Sequence, residues 1–528
     1  MSQRRVAIIG GGHNGLICAA YLARAGVSVT VLERRELLGG ACVTEECWPG
    51  YQVSRAAYVL SLFRPQIARE LELARYGLEL LPRRPSSYSP LPDGRSLVLG
   101  PDSVQNRREI EKFSLRDARE FPRYEALLEK IAAAIEPTLD APPPDLAIRG
   151  LRDLRPWWLA LRAGAKLGRD APRAARVLLG PARTLLEEWF DSEPLRATLA
   201  TDAVIGAFAA PSMPGTGYVL FHHVMGSITG DRGVWAYVRG GMGRLSDAIA
   251  QSARAAGAEL RTETTVAGVL MSGNRVTGVH TTSGEEIPCD AVVSSADPSR
   301  TFSLVDERNV PEEFRRAISA IDYRSPVVKL NLALRELPRF KVTDRPDDEP
   351  TPLSGTIHIG AMDLDSIERA YEDASAGRVS ERPLVELTIP SVVDSTLAPR
   401  GHHVASIFAQ YAPALPADDP RWPELRDQMR DRVLAAIDEV APGFSDSVCE
   451  IEVLAAPDIE SEFGLTGGNI FHGAMTPDRL LFMRPVPGWA RYRTPVRGLY
   501  LCGSSTHPGG GVMGASGRNA AAEVLRDL

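Results

Sequence analysis

The residues best suited to hold a specific ligand lie near the start of the sequence. They are Gly10-Gly11-Gly12-His13-Asn14-Gly15, with a carboxylate, Glu33, following on. Gly10, Gly12 and Gly15 fit G-x-G-x-x-G. The first glycine permits a tight turn, the second lets backbone approach a pyrophosphate, and the third lets a helix pack closely on a strand. A helix opening at Asn14 offers free N–H groups and a partial positive charge to a diphosphate. The Glu33 carboxylate can accept ribose hydroxyls. These residues need a particular frame, and the neighbouring sequence predicts it. Val6–Ile9 is a short apolar run suited to a buried parallel strand, Asn14–Ala25 reads as a helix stopped by Gly26, and Val27–Leu32 reads as a second strand ending at the acid. Strand, glycines, helix, strand and acid in this order specify dinucleotide binding, where the glycine pattern alone would not.

Two further stretches indicate which dinucleotide. Arg34 follows the acid, and Gly39-Gly40-Ala41 places a glycine pair just beyond it. NAD dehydrogenases do not need that pair. Flavoproteins of the glutathione reductase and amine oxidase type use it to bring backbone close to FAD. At the other end, Leu499–Cys502 is an apolar strand ending in Gly503. It is followed by a glycine-rich turn carrying Gly511, Val512 and Met513, then by an alanine-rich helix. Such a turn directs N–H groups and a helix dipole at an anion or a reduced flavin ring.

On these residues the chain resembles the phytoene desaturase family of FAD-dependent oxidoreductases. The stretches carrying the likeness include GGGHNGLICAAYLARAG, LERRELLGGACVTEE, SRAAYVLSLFRPQI, PGTGYVLFHHVMG, YVRGGMGRLSDAIA, GLTGGNIFHGAM and LYLCGSSTHPGGGVMGASGRNAA, which span nearly the whole chain. The resemblance implies an α/β fold, with a Rossmann-type FAD-binding domain of the glutathione reductase and amine oxidase kind and an interleaved α+β substrate domain. The FAD domain is expected over 1–70, 235–300 and 491–528. The substrate domain is expected over 71–234 and 301–490, with a helical insert at 149–190. In this fold class the equivalent of Val266 lies by the adenine. A lysine of amine oxidases that reaches flavin N5 through water has its local counterpart in Lys329, which otherwise reads as a strand lysine reaching solvent. His472, His222 and His507 are candidate acid/base groups.

The expected activity is an FAD-dependent dehydrogenase or desaturase acting on a hydrophobic, polyene or lipid-like substrate, with a quinone or oxygen as electron acceptor. Two alternatives stand beside it. One is a redox-neutral, carotene-isomerase-like enzyme; the other is a flavin-bound regulatory or interaction protein with little catalysis.

Composition bounds the partners. The 528 residues can bury a large core and are expected to form two domains. A net charge of −7 and the absence of any nucleic-acid-binding motif argue against nucleic acid. No apolar run is long enough to span a bilayer. The five residues before the first strand lead us to expect no targeting peptide, and the six scattered cysteines suit a reducing cytoplasm. Cys42 and Cys47 have the C-x4-C spacing of a redox disulfide. No second dinucleotide motif accompanies them, and they read as ordinary small residues. His222 and His223 lack a third ligand at metal spacing, so no metal is expected. Arg149–Arg183 holds nine Arg or Lys against two acids, with Trp157-Trp158 and many leucines. That composition suits peripheral contact with an anionic membrane.

Overall fold

The computed structural model describes residues 3–145, 150, 153–230, 232–343 and 352–528. Five parallel strands form one sheet. Arg5–Ile9 lies at its centre, flanked by Ser28–Leu32 and Ala291–Ser294, with Glu259–Arg261 and Leu499–Leu501 at the edges. Side chains alternate across a strand, so each face of the sheet needs its own cover. Val6 and Ile8 pack with helices His13–Arg24, Gly243–Ala255 and Ala515–Asp527. Ala7 and Ile9 pack against an antiparallel meander of Val266–Ser272, Arg275–Thr281 and Glu286–Pro288. Leu71 and Leu73 belong to the same core as helix His13–Arg24, and Leu80–Pro82 pairs with Ala236–Val238.

The sequence reads as one strand from Ala258 to Val266. The structure breaks it in two, because Glu263 adopts φ 51°, and the chain leaves the parallel sheet before re-entering strand at Val266. Pro137 also differs from expectation. The stretch from Pro137 to Pro144 reads as a proline-rich linker, yet helix Leu115–Leu139 continues through Pro137. The proline forfeits the bond from its own nitrogen to the Ala133 carbonyl, and that carbonyl accepts from the Lys166 ammonium at 3.4 Å instead.

A seven-stranded sheet forms the second layer, in the order Val448–Leu454, Val327–Leu334, His403–Gln410, Leu384–Thr388, Thr356–Ile359, Ser87–Pro90, Ser96–Leu99. Every pairing in it is antiparallel except Thr356–Ile359 with Ser87–Pro90. Helix Trp422–Val440 covers one face of this sheet through Trp422, Met429, Val433 and Ile437. Between the strands run helices Leu154–Leu167, Ala171–Leu179, Ala182–Trp189, Glu193–Val204 and Thr216–Val224. They pack around Phe121, Tyr124, Phe190 and Phe221. Positions 149, 151 and 152 of the basic segment lie outside the described residues, as does the exposed loop expected over 344–349. No helix among the described residues is long and apolar enough to cross a membrane.

Candidate active site

The parallel sheet ends in a cleft of about 280 Å³. Gly10, Gly12, His13, Asn14, Glu33, Arg34, Gly39, Gly40, Ala41 and Val266 line it. The Glu33 carboxylate accepts hydrogen bonds from the backbone N–H of Gly11 at 2.7 Å and of Arg35 at 2.9 Å. This holds the acid at the end of the second strand, beside the glycine turn. The three glycines differ in what they permit. A Cβ on Gly15 would stand 2.3 Å from the Gly10 carbonyl, so this position serves helix packing. A Cβ on Gly12 would meet nothing nearer than Ser295 Oγ at 3.9 Å and would project into free space. That space is what a pyrophosphate needs in front of a helix N-terminus. Gly39 donates its N–H to Gly11 O at 2.8 Å, which draws the glycine pair onto the turn. FAD fits this donor set.

The two ends of the chain meet here. Asn14 Nδ2 donates to Ser504 Oγ at 3.2 Å, and the Gly517 N–H donates to Asn14 Oδ1 at 3.4 Å. A Cβ on Gly517 would stand 2.2 Å from Asn14 O, so the first and last helices touch at backbone.

A second cavity of about 170 Å³ shares His13, Ala41, Leu465, His472 and Ser504 with the cleft and leads away from it toward the seven-stranded sheet. Its walls are mostly apolar: Ala56, Val59, Leu62, Ile205, Val327, Phe408, Ile470, Phe471 and Val512, with Gly511 from the C-terminal turn. No carboxylate lines it among the described residues. Lys329 is its one lysine or arginine among the described lining residues. It comes from the centre of strand Val327–Leu334 and is 1 % exposed, which excludes a lysine reaching solvent. Its ammonium donates to Asn331 Oδ1 at 2.7 Å and to Ser406 Oγ, and lies 5.0 Å from the centre of the Tyr58 ring. Burial pulls its pKa down from 10.5 to about 7, with Glu452 opposing the fall.

Four histidines, His13, His222, His223 and His472, line the same space, and three of them are strongly shifted. Burial lowers His13 and His222 to about 3 and His472 to about 4, so these three are neutral at physiological pH. His222 Nε2 bonds Gly510 O at 3.0 Å, while His222 Nδ1, His13 Nε2 and His472 Nδ1 have no protein partner among the described residues. His472 adopts φ 56°, a left-handed conformation unusual for a side chain of its size, and this turns it toward the cleft.

Four of the expected site residues stand back from both cavities. His507 is buried with Nε2 3.3 Å from Thr138 O and lines neither, so it is not placed for proton transfer there. Met513 packs in the helical core and accepts the Arg64 N–H at its carbonyl. Gly503 packs on Ser295 O, and Gly15 on Gly10. Cys42 and Cys47 are free thiols, both pushed up to about 12, mainly by burial. They do not form the redox pair that their spacing allows. No metal-binding cluster occurs among the described residues.

The structure also supplies residues that sequence reading did not single out. Tyr58, Phe408 and Trp235 wall the inner cavity, with the Tyr58 and Phe408 rings 6.0 Å apart. Behind Tyr58 lies Glu386, which accepts the Tyr58 hydroxyl at 3.3 Å. Burial, with Asp202 nearby, raises Glu386 to about 8.

Comparison with known proteins agrees with this geometry. Residues 15–358 match the family described as flavin containing amine oxidoreductase, and residues 231–522 match that described as FAD dependent oxidoreductase. The chain is 50 % identical to pyridine nucleotide-disulfide oxidoreductase domain-containing protein 2 of Rattus norvegicus, over 99 % of this chain and 93 % of the relative. It is 30 % identical to hydroxyneurosporene desaturase of Cereibacter sphaeroides, over 99 % and 98 %. The solved structure of cyclohexylamine oxidase from Brevibacterium oxydans superposes with a TM-score of 0.57 at 18 % identity, over 100 % and 99 %, which shows the fold. The chain belongs to the flavin-containing amine oxidoreductase family and is an FAD-dependent oxidoreductase of the amine oxidase and desaturase type.

Proposed function

We propose that this protein is a dehydrogenase or desaturase that removes a hydride from a C–H bond of a neutral, hydrophobic substrate of polyene or lipid-like character. The observation that carries this reading is the inner cavity, which is mostly apolar, is lined by no carboxylate among the described residues and holds the Lys329 side chain over its Tyr58 ring. An ammonium substrate buried here would find no carboxylate counter-ion among the described lining residues. Here it would meet Lys329 on Tyr58 instead. A hydrocarbon chain needs only the apolar wall. A desaturase of hydroxyneurosporene among the relatives supports the same class of substrate.

Bound FAD supplies the hydride acceptor, with a quinone or oxygen taking the electrons onward. The chain supplies the rest. Gly12, Gly39 and Gly40 would give the cofactor backbone access, Glu33 would hold its ribose and Val266 would lie by its adenine. Ala41, with His13 and His472, stands where the two cavities join, and Gly511 and Val512 wall the inner cavity. Lys329 sits where its ammonium or neutral amine can hold or receive the proton released with the hydride, and a pKa near 7 suits both directions. The neutral histidines add polar contacts without adding charge. The test is anaerobic mixing of the FAD-loaded protein with a polyene, with a membrane lipid extract and with primary amines, following loss of flavin absorbance. Bleaching by polyene or lipid extract and not by amines is expected. Bleaching by amines alone would overturn the reading.

A further inference from the structure

We propose that the outer face of helix Leu154–Leu167 seats this protein on an anionic lipid bilayer. The helix buries Pro156, Ala163 and Leu167 on its inner side. Its opposite side is also apolar. Leu154, Trp157, Trp158 and Leu161, at helical spacing i, i+3, i+4 and i+7, are 44, 40, 55 and 74 % exposed. A surface helix of a globular protein turns such a stripe inward and charge outward. Here the large apolar groups, two of them tryptophans, are turned out, and tryptophan favours the boundary between lipid and water.

The charge around the stripe indicates what covers it. From residue 154 to 179 the chain carries Arg155, Arg162, Lys166, Arg169, Arg173 and Arg176 against one acid, Asp170, in a protein whose net charge is −7. Asp170 pairs with Lys130 and Arg173, and Arg176 pairs with Glu188, so the charge offered to a surface comes chiefly from Arg155, Arg162, Lys166 and Arg169. The Arg162 guanidinium lies over the Trp158 ring at 5.2 Å, so cation and ring are presented together. A two-fold contact with a second copy would set this cationic patch against itself. A bilayer of anionic lipid meets both the charge and the apolar stripe, and each basic residue at such a surface strengthens binding roughly fivefold.

The neighbouring helix links this face to the cavity. Ala171–Leu179 packs on Thr216–Val224 so tightly that a Cβ on Gly217 would stand 2.4 Å from Val177 O, and Thr216–Val224 carries His222 and His223 to the inner cavity. The purpose of docking, access to a membrane-dissolved substrate, rests on the reading of the cavity given above. Its test measures lipid binding and not flavin chemistry, so either idea can fail alone.

The test is gradient flotation of the FAD-loaded full chain with vesicles of phosphatidylcholine alone or mixed with phosphatidylglycerol. The wild-type protein is expected to float with the mixed vesicles, at least tenfold better than with phosphatidylcholine, and to lose this in high salt. Trp158→Glu with Leu161→Glu, and separately Arg162→Glu with Arg169→Glu, are expected to reduce flotation at least tenfold. Both variants change exposed residues and should keep wild-type flavin absorbance and melting temperature. Three results would overturn the proposal: no flotation of wild type at low salt, flotation unchanged in both folded variants, or a dimer by light scattering that the Trp158→Glu, Leu161→Glu variant abolishes while lipid binding stays absent.

Discussion

Replacing Lys329 with methionine tests the electrostatics of the inner cavity quantitatively. The wild-type ammonium is almost fully buried, and its proton leaves near pH 7 instead of 10.5. The sign follows from proton binding. Between these two values the unfolded chain holds a proton that the folded chain has released, so wild-type stability rises with pH across the window. With one pKa unit worth about 1.4 kcal/mol, this side chain costs the fold about 4 kcal/mol at pH 7 and about 2 kcal/mol at pH 9. Methionine has similar length, no charge and a flexible thioether. It removes that cost but leaves Asn331 Oδ1 and Ser406 Oγ without their donor, a loss of roughly 1–3 kcal/mol. The net change at a single pH is therefore modest. The change with pH is the decisive quantity. Urea unfolding of both proteins at pH 7 and pH 9 should show the variant's stability relative to wild type falling by about 2 kcal/mol between the two. A difference that does not vary with pH would refute the desolvated lysine, and with it the proton-holding role given to Lys329.

Other substitutions separate cofactor binding from folding. Gly12→Val should leave the melting temperature of the FAD-free protein near wild type while abolishing FAD retention, since the new side chain enters free space; full flavin content would place the pyrophosphate elsewhere. Gly15→Val should instead lower FAD-free stability by about 1–3 kcal/mol, read by urea unfolding, because its Cβ meets the Gly10 carbonyl. His13, His222, His472 and His507 are neutral in the fold down to about pH 3–4 but protonate below about 6.5 when unfolded, so stability falls as pH drops. Each costs about 2 kcal/mol by pH 5, which predicts acid unfolding of the FAD-free protein between about pH 6 and 4. His222→Gln should move that midpoint to lower pH, and an unmoved midpoint would contradict a buried neutral His222. Cys47→Ser should leave FAD content and photoreduction unchanged, whereas loss of photoreduction would restore the thiol pair as a redox centre.

Much of the cofactor half was legible because its determinants are local. Gly10 to Glu33 lie within one strand–helix–strand unit, and each residue type is dictated by a turn or a close approach. The C-terminal turn was readable for the same reason, although His507 and Met513 were not distinguishable from Gly511 and Val512. Alternate residues of one turn face opposite ways, and only packing decides which face the cavity. Lys329 was identifiable by its local pattern, but its state was not. That state depends on Ser406, which strand register sets opposite Asn331 and diagonal to the lysine, and on the Tyr58 ring from a distant loop. Tyr58, Phe408, Trp235 and Glu386 come from four separate segments and carry no shared motif, so their convergence appears only in the tertiary fold. Pro137 and Glu263 show the reverse: the helix runs through a proline that reads as its end, and a left-handed residue interrupts a stretch that reads as one strand.

The central claim is that the first and last turns of the chain enclose one FAD whose ring reaches the carboxylate-free cavity beside Lys329. A crystal structure of the FAD-loaded protein tests it most directly. The account predicts density for one FAD per chain, with its ribose at Glu33, its pyrophosphate at Gly12 and its ring between Ala41, Gly511 and Lys329. Density placing the ring away from Lys329, or the two terminal turns on different ligands, would contradict it.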